Sequence, residues 1–130
     1  MRRLLTAAVL LTLTSGAAAQ EEPSVAPHVE PFFKVSGKHL DRRFPGVGGY
    51  YPERSFRYGV QGGALIECRL GEGGVLDDCV VAAEAPTDSQ FGEASLRMAQ
   101  QRALMAKLPS DTPLRPGDKV RLIVPFKIRR

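Results

Sequence analysis

The chain has 130 residues, a formal charge of +4 from 18 basic and 14 acidic side chains, two cysteines, two histidines and no tryptophan. That length holds one domain at most. Along the sequence the basic residues are interspersed with acids rather than gathered on one stripe, which argues against nucleic-acid binding.

The first stretch reads as a secretory signal peptide over residues 1–19. Arg2 and Arg3 form a basic start, Leu4 to Leu13 an apolar run broken only by threonines, and Ala17-Ala18-Ala19 an A-x-A cleavage pattern. The alternative is an uncleaved inner-membrane anchor, but the run is about ten residues long and a span needs about 20. Cleavage would leave 16 basic and 14 acidic side chains, formally +2. No other apolar run approaches a span, so the expectation is a soluble protein of the periplasm.

Residues 20–49 read as a linker. Pro23, Pro27, Pro31 and Pro45 stand among Gly37, Gly46, Gly48 and Gly49 with no sustained period. Pro31-Phe32-Phe33-Lys34-Val35 is apolar enough to dock on the domain that follows, residues 50–130. In Tyr51-Pro52-Glu53-Arg54-Ser55-Phe56-Arg57-Tyr58-Gly59, Pro52 suits a first helical position, Glu53 the positive end of the dipole and Gly59 a left-handed cap. A short helix is predicted, with Phe56 as its inward anchor.

Gly63 to Leu70 alternates, with Ala64, Ile66, Cys68 and Leu70 on one face, the period of a half-buried strand. Val75 to Ala83 is a second strand. If Gly73 and Gly74 form a two-residue hairpin turn, Arg69 faces Asp78 and Cys68 faces Cys79. Thr87 with Gln90 resembles a capping box, and Phe91, Ala94, Met98 and Met105 recur at helical spacing up to Pro109. After a Pro- and Gly-containing loop, Val120, Leu122, Val124, Phe126 and Ile128 alternate along a last strand. Pro125 places that strand at an edge or ends its pairing there. The fold class is therefore α+β, a three-stranded antiparallel sheet with two helices on one face.

The two cysteines of an exported chain read first as a disulfide, and the facing register supports it. Two buried free thiols are the alternative. The histidines, His28 and His39, both precede the domain. Asp77 and Asp78 are adjacent on a strand and point to opposite faces, so they make a poor catalytic pair; Asp78 is expected to partner Arg69. Gly71-Glu72-Gly73-Gly74 lacks the order of a phosphate loop. The Met98 and Met105 pair reads as core packing, and the residues give no case for an enzyme, a metal or a cofactor.

The opener Tyr51-Pro52 with Gly59-Val60-Gln61-Gly62, the hairpin from Ala64 to Ala83, the Phe91-led helix and the closing Val120 to Ile128 strand together resemble the TonB C-terminal domain family. The stretch YP-x(6)-G-V-x-G looks like that family's opening, and the cysteine pair is similar to one found in a group of its members. The resemblance implies a periplasmic protein-binding module associated with transmembrane transport. Its partner would be an outer-membrane TonB-dependent receptor or another envelope protein, whose peptide adds as a strand to the edge of the last strand. Carried over, the partner-binding residues are Tyr50, Tyr51, Val120, Arg121, Leu122, Ile123 and Val124. Proline at Leu122 is expected to remove a donor from that edge. The chain departs from a complete energy transducer at its front, where the anchor looks cleavable and residues 20–49 reach at most about 100 Å. A structural envelope domain with no receptor role is the second reading, and a homodimer through the free edge is open.

Overall fold

The computed structural model describes Leu10, residues 25–34 and residues 41–130. Apart from Leu10, the signal-peptide reading of residues 1–19 lies outside them, as do Val35, Gly37 and His39. Among the described residues, five strands and two α-helices follow in chain order: β1 (Glu30–Phe33), α1 (Glu53–Arg57), β2 (Gly62–Leu70), β3 (Leu76–Ala85), α2 (Phe91–Gln100), β4 (Leu104–Lys107) and β5 (Lys119–Phe126). The fold is α+β. β3, β2 and β5 form a three-stranded antiparallel sheet with β2 at its centre, and β1 pairs with β4 in a second, two-stranded sheet.

One face of the larger sheet is buried as the alternation requires. Ala64, Ile66, Cys68 and Leu70 of β2 and Val120, Leu122, Val124 and Phe126 of β5 are all at most 3% exposed. α2 lays Phe91, Ala94 and Met98 on this face, and the Phe91 ring stacks on Phe126 with centroids 4.4 Å apart. Gly62 allows β2 to start close to β3, because a Cβ there would stand 1.9 Å from the Ala85 carbonyl oxygen.

α1 is five residues long and Pro52 is its N-cap, outside the first turn. Its buried side chain is Ser55, whose hydroxyl donates to the Ser89 carbonyl at 2.7 Å. Phe56, expected inward, is 38% exposed and meets Phe44 edge-on at 5.1 Å. A helix of this length turns only one residue squarely inward, and Ser55 takes that place because it reaches the start of α2.

The hairpin differs from its predicted form in two ways that cancel at the cysteines. The loop holds three residues, Glu72 to Gly74, closed by the Gly71 amide on the Val75 carbonyl at 2.7 Å, so Arg69 faces Asp77 and not Asp78. A bulge at Asp78, which stands at φ 50°, then restores the expected pairing at Glu67 and Val80. Cys68 and Cys79 are joined in a disulfide with Cα atoms 4.1 Å apart. The predicted Arg69–Asp78 pair is replaced: Arg69 donates to the Gly117 carbonyl, and Asp77 pairs with Arg102 at 3.4 Å.

α2 also starts and stops by other means than the sequence suggested. Its N-cap is Gln90, at φ 67° and without a side-chain cap of its own. The Glu84 carboxylate of β3 accepts instead from the Gln90 and Gly92 amides, at 3.1 and 3.3 Å. The helix ends at Gln100, well before Pro109. The Ala103 amide reaches back to the Met98 carbonyl and the Arg102 amide to Ala99, with Arg102 left-handed at φ 62°. Met105, assigned above to this helix, lies in β4 opposite Phe32 of β1.

Candidate functional site

β5 lies at an edge of its sheet, so one row of its backbone groups faces β2 and the other faces outward. Which residues face outward follows from Arg121. Its amide donates to the Pro27 carbonyl at 3.1 Å, and its carbonyl accepts from the Val29 amide at 2.9 Å. Strand alternation then turns the amides of Val120, Leu122 and Val124 toward β2 and those of Arg121 and Ile123 outward. Pro125 falls in the outward row, so its missing N–H costs the sheet no hydrogen bond.

The outer edge is therefore partly occupied by the protein's own chain. His28 bridges Arg121 in parallel, and its Nδ1, carrying the proton, donates to the Arg121 carbonyl at 3.1 Å. Val29 is buried at 8% exposure as part of the core. Beyond it the segment leaves β5 and pairs antiparallel with β4, from Glu30 opposite Lys107 to Phe33 opposite Leu104. Further along, the Arg129 amide donates to the Arg43 carbonyl at 2.8 Å. Between these two attachments the outward groups of Ile123 and Pro125 make no backbone hydrogen bond among the described residues.

The side chains of the predicted site divide accordingly. Val120, Leu122 and Val124 are fully buried. Arg121 and Ile123 point to the opposite, open face, where Arg121 Nε meets Glu67 Oε1 at 2.8 Å and Ile123 is 55% exposed. Leu65, on the same open face, pairs with Ile123 across the strands. Tyr50 and Tyr51 do not line the edge together. The Tyr50 hydroxyl donates to the Gln101 side chain. Tyr51 is a core residue whose hydroxyl donates to the Val60 carbonyl and whose ring meets Phe91 at 5.6 Å and Phe126 at 5.7 Å. Burial pushes the Tyr51 phenol above its ordinary pKa of 10.0.

Pro27, His28 and Val29 are the residues that sequence reasoning missed. A faint signal existed: Val25, Val29 and Phe33 sit four residues apart, a spacing that a period-2 strand puts on one face, but Pro27 and Pro31 mark the same stretch as irregular.

Among the described residues there is no group of three or more metal-ligating side chains, and no helix is long and apolar enough to cross a membrane. What the arrangement can do is bind: an open strand edge offers donors and acceptors in a fixed row, flanked by an exposed isoleucine and a fixed arginine. In comparison with known proteins, neither a family model nor a curated sequence matches the chain.

Proposed function

We propose that the protein is a non-catalytic binding module of the bacterial periplasm, of the TonB C-terminal type, which takes up an extended segment of an envelope partner at the outer edge of β5. The observation that carries this reading is the pairing of Pro27–Val29 on Arg121, because it demonstrates an extended peptide held by backbone hydrogen bonds at that edge. The open groups of Ile123 and Pro125 continue the same row. An outer-membrane TonB-dependent receptor is the partner that the sequence resemblance suggests, with transport as the associated process. With a cleaved front, the module recognises the receptor without itself transmitting force from the inner membrane.

The test is a titration of the folded protein with TonB-box peptides, followed by fluorescence anisotropy. Saturable binding with Kd at or below about 1 mM, a free energy of about −4 kcal/mol, supports the reading. Absence of binding at that concentration sinks it.

A structural envelope domain is the second reading, and one observation favours it: part of the edge is already closed by the chain itself. In that case Pro27–Val29 is a permanent closure, and no peptide competes for β5.

A further inference from the structure

The far end of β5 runs into cations drawn from three separate parts of the chain. The Arg129 amide is bonded to the Arg43 carbonyl, and Arg130 Nη2 lies 3.5 Å from where a Cβ on Gly59 would stand. The Arg43 guanidinium lies 5.6 Å from the centre of the Phe44 ring and 5.5 Å from that of Phe56 on α1. These contacts bring Arg42, Arg43, Arg57, Lys127, Arg129 and Arg130 to one end of the molecule. Two of the six are neutralised there. Arg43 holds Asp41 at 2.6 Å and keeps that carboxyl below its usual range, and Arg57 holds Glu53 at 2.7 Å. Arg42, Lys127, Arg129 and Arg130 make no ion pair with a side chain among the described residues. The rest of the described chain carries ten acids against nine bases, so the excess positive charge is local to this end.

Direction connects the cations to the strand edge. The peptide already on β5, Pro27–Val29, runs parallel to it. A partner segment pairing in the same sense along Ile123 and Pro125 brings its C-terminal side onto Lys127, Arg129 and Arg130. We propose that the segment β5 takes up is acidic on its C-terminal side, an extended peptide whose carboxylates follow the strand-pairing residues and settle on this cationic end. The proposal rests on the strand-addition reading above and adds to it the direction and charge of the partner.

The experiment compares three peptides sharing one extended apolar stretch: one followed by Asp-Asp, one preceded by Asp-Asp and one followed by Ser-Ser. Anisotropy titrations on the wild-type protein are expected to favour the first by about tenfold, the worth of two exposed ion pairs. That preference should vanish in the Arg129→Glu, Arg130→Glu double variant, and at about 0.5 M salt, where screening acts within a few ångströms. A peptide ending in Lys-Lys should then become the tightest ligand of the double variant. Equal binding of all peptides, abolished by Ile123→Pro, leaves strand addition standing and overturns the acidic preference. Binding of none overturns both. Tight capture by phosphatidylglycerol vesicles that the acidic peptide does not displace assigns the cationic end to a lipid surface and likewise overturns the proposal.

Discussion

Leu122 and Ile123 are neighbours whose backbone amides point in opposite directions, and a proline substituted at each separates sheet integrity from the proposed partner binding. The Leu122 amide faces β2 and its side chain is fully buried, so Leu122→Pro breaks a ladder bond within the sheet and is expected to cost about 3 kcal/mol or more. Ile123 faces outward. Ile123→Pro should leave urea unfolding within about 1 kcal/mol of wild type while removing peptide binding. The sequence alone nominated Leu122, because alternation shows which side chains are buried but not which row of amides is left over. Tyr51 gives a prediction in pH. Burial and the bond to Val60 favour the protonated phenol, so its contribution is complete below the unfolded value of about 10 and is lost as pH rises through the folded value. Tyr51→Phe should flatten the alkaline fall in unfolding free energy. Equal curves for the two proteins would show that the phenol titrates as though exposed.

α1 and α2 end in the same hydrogen-bonding pattern, and only one of the two ends could be read from sequence. In α1 the left-handed residue is Gly59 at φ 64°, the residue type that occupies this conformation at least cost. In α2 it is Arg102, a residue that gives no stop signal, and Met105 happens to continue the spacing of Phe91, Ala94 and Met98. Arg102→Gly relieves a left-handed non-glycine residue and removes only an exposed ion pair at 3.4 Å, so it should stabilise the protein by about 0.5–1 kcal/mol. Thermal unfolding measures this directly. The hairpin carries a different kind of legibility. Its cysteine pairing was readable although its loop was not, because the bulge at Asp78 returns the residue that the longer loop takes. Replacing both cysteines by alanine is expected to cost about 3 kcal/mol, from the loop that the disulfide closes in the unfolded chain. A loss below about 1 kcal/mol would show that the hairpin holds itself.

For the molecule as a whole, the segment from Val25 to Lys34 ties the two sheets together, bonded in parallel to β5 and antiparallel to β4. A chain beginning at Val35 uncovers both edges and the site filled by Val29. It should lose about 3 kcal/mol of stability, from one buried valine and several strand hydrogen bonds. It should also self-associate, since two open edges offer templates for pairing, and sedimentation with urea unfolding reads both effects. A monomer of unchanged stability would show that the segment only rests on the surface. The α+β class, the buried faces of β2 and β5 and the facing cysteines were determined by the sequence itself, because each depends on side-chain alternation within a few residues. The row of β5 left open, the end of α2 and the gathering of scattered arginines at one end were decided only by tertiary structure. They rest on contacts such as His28 to Arg121, 93 residues apart, for which local periodicity carries no signal.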